Sequence, residues 1–408
     1  MPLLFKILLA PAALLAMQSL WSLLDGYRFL AYLRRSLRAP RSGFHPSAVV
    51  IVPVKGVDAD LGGYLDSLLT QDYPDYRLVF SVAREGDPAH AYLSSRLQAR
   101  SPIEGRGPRE VKQVVAGVTR ERGEKVNNLL AALKTVSSEA QVLVFADADA
   151  RPKKDWLRSL IEPLADTAVM VSTGFRWYLP GRTFASRLRA AWDTSIATML
   201  GEHRSNFAWG GSMAIRATDF RRLQVAERYW AATVSDDYGL TRAVRDAGGW
   251  IRFEPKCLVA SSDETNWRDF RQWSNRQIII TRVYAPHLWR WGLISHLLFC
   301  GTLALGLSVI LVPGPEFARW CASAFVIVIL LLGFSKARLR VRAASELFPE
   351  EAGPLRQYGA CYWRLWPLVP WMMLFDFVTA GLTRKIEWRG RRYELRSPTE
   401  MCVLGPDV

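Results

Sequence analysis

Long stretches without a charged side chain constrain this 408-residue chain more than any other feature. Residues Ile7 to Leu24, Trp291 to Pro315 and Trp320 to Ser335 contain no Asp, Glu, Lys or Arg. In a bilayer only a helix or a closed barrel satisfies every backbone polar group, and about 20 apolar residues cross it as a helix. The sequence therefore predicts membrane helices towards both ends, with a helical hairpin turning at Pro313-Gly314-Pro315.

The formal charge of +15 requires an explanation. Much of it follows apolar segments directly, and no zinc-finger, RRM or KH pattern accompanies it. Membrane proteins carry an excess of cations on the cytoplasmic side of their helices. The placement of the charge therefore favours membrane topology over nucleic-acid binding as its explanation. We expect an integral membrane protein whose catalytic domain lies on the cytoplasmic side of a bacterial inner membrane or eukaryotic endomembrane. The basic residues concerned are Arg34, Arg35, Arg38 and Arg41, and Lys336, Arg338, Arg340 and Arg342.

The first apolar segment has two interpretations. A secretory signal peptide has a shorter apolar run and small residues at its cleavage site. Here the run is long, no such site follows, and arginines come next. A retained membrane anchor over residues 1–33 is therefore favoured.

The last apolar segment, Cys361 to Thr383, is ambiguous. Arg364, Asp376 and two prolines interrupt it, so it either spans the bilayer or lies broken at the interface with its tryptophans at headgroup level. We assign residues 289–383 to C-terminal membrane helices and residues 384–408 to a basic tail.

The sequence between the membrane segments, residues 48–288, is typical of a soluble α/β domain. Short apolar runs alternate with stretches in which leucines recur at helical spacing, such as Leu61 to Leu69. Strands that alternate with helices favour a mostly parallel sheet covered on both faces. The predicted strands are Ala48 to Val54, Arg77 to Val82, Val111 to Val115 and Gln141 to Ala146.

Asp147-Ala148-Asp149 follows the last of these strands directly. Carboxylates two residues apart on an extended chain point to the same side, and at the carboxyl end of a strand they face the ligand crevice. Mg²⁺ and Mn²⁺ prefer oxygen ligands of this kind, with substrate phosphates completing the shell. The alternative is a pair of acids that caps the next helix.

Three further positions carry residue types suited to a nucleotide site. Asp87 follows the second strand, where its carboxylate either accepts hydrogen bonds from a nucleobase or caps the helix after Pro88. Asp236 and Asp237 open a helical stretch, and Asp237 is placed to act as a general base while one of the two acids caps the helix. Lys125 starts another helix and could contact a phosphate, although a solvated lysine is commoner.

The order of these residues resembles ceramide glucosyltransferases and their bacterial relatives, which are inverting, family-two-like glycosyltransferases of GT-A fold. The resemblance covers about residues 48 to 290 and is specific for fold and reaction type, not for donor or acceptor. It is carried by Asp87, by Asp147 in ADAD, by Asp237 in SDDY and by Arg276 in WSNRQ, supported by PVKG (Pro53 to Gly56), QDYP (Gln71 to Pro74), GDPA (Gly86 to Ala89), KVNNL (Lys125 to Leu129) and GGSMAIR (Gly210 to Arg216).

The resemblance implies a role for each matching residue. Asp237 would be the catalytic base and Arg276 would steady the leaving diphosphate. One departure concerns the acceptor end: the usual signature has Gln or Arg three residues before the Arg and Trp after it, whereas Trp273 and Gln277 stand here. Asp87, Lys125 and Asp147 would bind the UDP-sugar, Asp147 and Asp149 the Mg²⁺ or Mn²⁺, and Gly210, Gly211, Asp236, Trp273 and Gln277 would lie in the acceptor region.

The expected reaction is transfer of one sugar from a UDP-sugar to the hydroxyl of a membrane lipid, with inversion. A processive polysaccharide synthase generally needs more membrane helices than the three or four predicted here. A polyprenyl-phosphate sugar synthase also fits, since its acceptor is a membrane lipid. If the chain were a non-catalytic, membrane-tethered binding protein, some of the acidic site residues should have been lost. Asp87, Asp147, Asp149 and Asp237 are all present.

Overall fold

The computed structural model describes residues 3–58, 60–98, 107–149 and 151–405. The chain divides into two compact units. Both are assembled from segments that are distant in the sequence. The sheet unit comprises Arg35–Trp177, Leu200–Ser261 and Lys385–Val408, and the helical unit comprises Met1–Arg34, Tyr178–Met199 and Ser262–Arg384.

A seven-stranded sheet forms the centre of the sheet unit. Its strands are β1 (Ala48–Pro53), β2 (Tyr76–Val82), β3 (Glu110–Val115), β4 (Val142–Ala146), β5 (Val169–Tyr178), β6 (Ser212–Arg216) and β7 (Trp250–Ser261). Their order is β3-β2-β1-β4-β6-β5-β7. The first four are mutually parallel, whereas β6 runs antiparallel to both β4 and β5. The predicted mostly parallel α/β fold is confirmed, and β1 to β4 are the four strands expected from the sequence.

Helices cover this sheet because its central strands are apolar on both faces. Val50 of β1 is buried in a core with Trp156, while its neighbour Val49 points to the opposite face and is buried with Leu129. The helices of this unit are α2 (Leu61–Leu69), α3 (Pro88–Gln98), α4 (Glu124–Leu133), α5 (Trp156–Ile161), α7 (Ala217–Arg222) and α8 (Asp236–Asp246).

Within the part of the chain that the structure describes, three helices are long and apolar enough to cross a membrane. They are α1 (Leu3–Arg38), α10 (Pro286–Leu311) and α11 (Glu316–Leu347). α10 and α11 flank the predicted Pro-Gly-Pro turn, and a buried cluster joins Phe5 and Leu8 of α1 to Val309, Ala318 and Ala322. The helical unit also contains α6 (Phe184–Ala197), α9 (Trp267–Tyr284), α12 (Ala352–Tyr358), α13 (Cys361–Arg364) and α14 (Val369–Leu382).

The ambiguous segment Cys361 to Thr383 is broken into α13, a short 3₁₀ turn and α14. Its apolar part, Trp366–Leu382, rises only about 25 Å as a helix, which is less than the ~30 Å hydrocarbon core. Asp376 within α14 is fully buried and pairs with Arg271 of α9 at 2.9 Å. The break in the segment is thus observed, and its place across or at the interface of a bilayer stays a prediction.

The residues assigned to a basic tail are folded as a second, antiparallel sheet. Its strands are β8 (Lys385–Trp388), β9 (Arg391–Ser397) and β10 (Glu400–Leu404), in the order β10-β9-β8. The apolar side chains of Ile386, Tyr393 and Leu395 are buried, which explains why this charged segment folds. Lys385–Val408 is therefore part of the sheet unit.

Gly248, just after α8, has a backbone conformation that disfavours any L side chain, with a φ of +68°. Gly248→Ala should lower the free energy of unfolding by about 1 kcal/mol. Gly43→Ala is the matched control, because an added Cβ meets nothing within 4 Å at either position and only Gly248 has a left-handed φ. Denaturant unfolding of the purified protein in detergent would measure both, and equal midpoints would contradict the prediction.

Candidate active site

A pocket of about 110 Å³ lies in the sheet unit, beyond the carboxyl ends of β1 and β4. Ligands of open α/β sheets bind in the crevice at this end of the strands. Five chain segments contribute to it, so the fold assembles the pocket from distant parts of the sequence. The lining includes Lys55, Gly56 and Asp58 after β1, Gly123, Glu124, Lys125 and Asn128 at the start of α4, Asp147, Ala148 and Asp149 after β4, Val234 before α8, and Trp388, Arg389 and Tyr393 from the C-terminal sheet.

Lys125 connects the two predicted acidic motifs. Its Nζ lies 2.7 Å from Asp147 Oδ1 and 3.0 Å from Asp236 Oδ1, and its side chain is 16% exposed. Burial alone would lower the pKa of Lys125, but the carboxylates of Asp147, Asp236 and Asp237 raise it, so the ammonium stays charged. Its main contacts are thus carboxylates, and the expected contact with a phosphate stays a prediction.

Asp236 is almost fully buried, with 2% of its side chain exposed. Burial raises the pKa of this carboxyl group and Lys125 opposes the rise. Gly210 lies against the ion pair of Lys125 and Asp236. A Cβ added at Gly210 would lie 2.5 Å from Asp236 Oδ2 and 2.6 Å from Lys125 Nζ. Only glycine fits at this position, which accounts for the first glycine of GGSMAIR.

Asp149 is held by two guanidinium groups. Arg176 of β5 donates to it, with one hydrogen bond of 3.3 Å from Nη1 to Oδ2, and Arg389 Nη2 lies 3.7 Å from the same oxygen. Burial alone would raise the pKa of Asp149, but Arg176 and then Arg389 lower it below its ordinary value. The carboxylate is therefore ionised.

Asp237 lies at the start of α8, where Ser235 rather than either acid is the N-cap residue. The hydroxyl of Ser235 donates to Asp237 Oδ1, and the backbone N–H of Tyr238 donates to the same oxygen at 2.8 Å. Gly210 N–H lies 3.4 Å from Oδ2. Among the described residues, Oδ1 of Asp237 thus accepts two short hydrogen bonds, whereas Oδ2 has one longer contact.

Asp87 serves as a structural acceptor. Its Oδ1 accepts hydrogen bonds from Ala89 N in α3 at 2.9 Å and from Gly56 N in the loop after β1 at 2.8 Å. The helix-cap alternative is therefore the observed contact, and the same oxygen fixes a loop of the pocket. A contact with a nucleobase stays a prediction.

Trp273, Arg276 and Gln277 lie on α9, in the helical unit. The ring of Trp273 lies in an aromatic cluster, with centroids 5.0 Å from Trp192 and 5.5 Å from Tyr178. The roles predicted for these three residues towards donor and acceptor stay predictions.

The model of one protein family, described as glycosyl transferase family 21, matches residues 9–401. The chain belongs to this family. It is therefore a glycosyltransferase, and the match includes the pocket, β8, β9 and the start of β10.

Several solved structures are similar to this glycosyltransferase. One is a mannosyltransferase from Pyrobaculum calidifontis in complex with GDP-Man and Mn²⁺, with 17% identity, coverage of 92% of this chain and 99% of that chain, and a TM-score of 0.45. Another is glucosyl-3-phosphoglycerate synthase from Mycobacterium tuberculosis with phosphoglyceric acid, at 15% identity, 60% and 85% coverage and a TM-score of 0.38. A third is Staphylococcus aureus TarS with UDP-GlcNAc, at 12% identity, 88% and 100% coverage and a TM-score of 0.36.

The carboxylates of the transferase suit a divalent cation that arrives with its substrate. Among the described residues, no group of three or more His, Cys, Asp or Glu side chains is placed to hold an ion. Mg²⁺ typically binds one or two protein carboxylates and takes its other ligands from phosphates and water. Asp147 and Asp149 fit that pattern, so a diphosphate would have to complete the shell.

The sequence analysis missed Arg176, which contacts the pocket residue Asp149, and Glu124, which lines the pocket. Arg176 reaches Asp149 only because β5 and β6 pair beside β4, and no local signal reveals such a contact. Glu124 pairs with Lys55 at 2.9 Å, and although Lys55 stands in the PVKG motif the sequence assigned it no role.

Proposed function

We propose that this glycosyltransferase transfers a sugar from a UDP-sugar to the hydroxyl of a membrane lipid, with inversion and with a divalent cation. The observation that carries the proposal is the position of Lys125 between Asp147 and Asp236. Through this contact, the acidic motif after β4 and the acidic motif at the start of α8 meet at Lys125, which lines the pocket. That convergence is what a single reaction at a bound diphosphate requires.

At the acceptor end, Asp237 is the proposed general base. Its carboxylate takes the proton of the acceptor hydroxyl while that oxygen forms a bond to the anomeric carbon. The bond from the anomeric carbon to the diphosphate oxygen breaks with its electron pair leaving on the diphosphate. Attack and departure on opposite sides invert the anomeric centre, so an α-linked donor gives a β-linked product.

At the donor end, Asp147 and Asp149 are the proposed ligands of the cation. Such an ion supplies electrostatic stabilisation of the negative charge that develops on the leaving diphosphate. Lys125 holds Asp147 in place, and Arg176 holds Asp149. The proposed role of Arg276 is to add a further positive charge at the leaving group.

The lipid acceptor is supported by the three long apolar helices. A transferase fixed in a bilayer meets lipid acceptors at high local concentration, whereas a soluble acceptor gives no reason for membrane anchoring. Ceramide, hopanoid and diacylglycerol offer a hydroxyl group and are assayed as acceptors, and polyprenyl phosphate, which offers a phosphate oxygen, is assayed as the alternative.

The proposal is tested with the full chain purified in detergent. The protein is incubated with a panel of UDP- and GDP-sugars, Mn²⁺ or Mg²⁺, and a lipid extract, with EDTA added in a parallel sample. We expect mass spectrometry to detect a lipid whose mass has increased by one sugar, formed from a UDP-sugar and absent in EDTA. NMR of the product should show the anomeric configuration opposite to that of the donor.

Other results would contradict specific parts of the proposal. Polymeric product would indicate a processive synthase, and product formed equally well in EDTA would exclude metal dependence. A retained anomeric configuration would exclude direct displacement. Sugar transfer to soluble acceptors alone would remove the lipid from the proposal.

A further inference from the structure

The turn between β8 and β9 carries a cation into the pocket. Arg389 Nη2 lies 3.2 Å from Asp58 Oδ2 and 3.7 Å from Asp149 Oδ2. Trp388 and Arg389 both line the pocket. The C-terminal sheet therefore places a guanidinium group beside a carboxylate that we propose to hold the cation of the donor.

The turn is fastened to the pocket by reciprocal contacts. Lys55 Nζ donates to the carbonyl oxygen of Arg389 at 2.9 Å, and Arg389 Nη1 donates to the carbonyl oxygen of Lys55 at 3.0 Å. Arg391 Nε lies 3.3 Å from Glu124 Oε2, while the other oxygen of Glu124 is 2.9 Å from Lys55 Nζ. These contacts hold the turn at the loop after β1 and at the start of α4.

Arg389 occupies an unfavourable position in this turn. Trp388 pairs with Arg391, so Arg389 and Gly390 form a two-residue hairpin turn. Their φ angles are +46° and +79°, as in a type I′ turn, where Asn, Asp or Gly is preferred at the first position. The backbone conformation therefore does not explain why residue 389 is an arginine. This points to a function for the side chain of Arg389.

We propose that Arg389 binds the diphosphate of the nucleotide-sugar donor. The inference rests on the function proposed above. A guanidinium group can make two parallel hydrogen bonds to phosphate oxygens. With donor and cation bound, Arg389 would contact the diphosphate instead of Asp149, and Asp149 would be available to hold the cation.

The test compares Arg389→Asn with Arg392→Asn. Asparagine suits the positive φ, so Arg389→Asn removes the guanidinium group while it keeps the backbone of the turn and the hydrogen bond from Lys55 to the carbonyl oxygen of residue 389. Arg392 is exposed on β9 of the same sheet, and its replacement removes one positive charge outside the pocket. The full chain in detergent is titrated calorimetrically with UDP in the presence of MnCl₂, with GDP in the presence of MnCl₂, and with MnCl₂ alone.

We expect Arg389→Asn to weaken UDP binding about 10- to 100-fold, the usual loss for a charge-assisted hydrogen bond to phosphate. Binding of Mn²⁺ alone should be at least as tight as in the wild type, because a competing cation has left Asp149. The melting temperature should change little, because the better backbone fit of asparagine offsets the lost hydrogen bond to Lys55. Arg392→Asn should bind UDP as the wild type does.

The outcomes separate this inference from the proposed function. UDP binding by wild type and Arg389→Asn with equal affinity would overturn only the role of Arg389. A joint loss of UDP and Mn²⁺ binding would show that the turn merely supports the pocket, and would also overturn it. If the wild type binds GDP but not UDP, the UDP donor is wrong and the same comparison is made with GDP. If the wild type binds neither nucleotide, the proposed function and this inference both fail.

Discussion

Asp237→Asn is expected to reduce the rate of sugar transfer by about 10³-fold, within the range for loss of a general base. The substitution keeps the shape of the side chain and leaves an amide oxygen that can still accept from Ser235 Oγ and Tyr238 N. An amide cannot take the proton of the acceptor hydroxyl. The transfer rate is measured with saturating donor and lipid, so that a loss in kcat is distinguished from a change in KM.

Asp246→Asn provides the matched control for Asp237→Asn. Asp246 stands at the other end of α8, half exposed, where it contacts Tyr229 OH at 2.9 Å and Arg242. The same chemical change there should leave the transfer rate close to that of the wild type. If Asp237→Asn retained a rate within a few-fold of the wild type while Asp246→Asn did the same, another group would have to be the base.

Lys125→Ala is expected to lower the free energy of unfolding by about 3 kcal/mol, because it leaves the buried carboxylate of Asp236 next to Asp147 without their shared cation. Asp236 Oδ2 already has no hydrogen-bond partner among the described residues, so no other contact compensates. For a chain of 408 residues, whose unfolding entropy scales with length, the loss corresponds to a fall in melting temperature of roughly 3–4 °C. Thermal unfolding of the purified protein in detergent measures it.

Two further variants test the cause of that loss. Lys112→Ala removes an exposed lysine whose partner Glu110 is also exposed, and should change stability by less than about 0.5 kcal/mol. Asp236→Asn in the Lys125→Ala background should recover part of the stability, because it removes the uncompensated charge. An unchanged melting temperature in Lys125→Ala, or no recovery in the double variant, would mean that the ion pairs do not stabilise the fold.

The sheet and the acidic loops were predictable because their signals are local. β1 and β4 are continuous apolar runs, and the acids either follow β4 directly or form the first two positions of α8. The identity of the N-cap was predicted wrongly. One of the two acids was expected to be the cap, yet Ser235 accepts from Tyr238 N at 3.3 Å, which leaves Asp237 oriented by its neighbours.

The remaining contacts depend on chain segments that meet only in the folded protein. Arg176 lies beside Asp149 because of strand order, which no short pattern in the sequence encodes. Arg389 reaches the pocket because Lys385–Val408 packs into the sheet unit. The alternation of Ile386, Trp388, Tyr393 and Leu395 around Gly390 was a hairpin signal that the strong basic character of the segment obscured.

The C-terminal sheet contributes to the pocket, so the segments before and after the C-terminal helices lie on the same side of any bilayer. This restricts the number of times that the chain between them can cross the bilayer. A polypeptide that departs from one side and returns to it must make an even number of passages. If α10 and α11 make two, α14 can make none, and its shortness agrees with that parity. Residues 384–396 then share a side with Arg35, Arg38 and Arg41, so the basic clusters at the two termini obey a single charge bias.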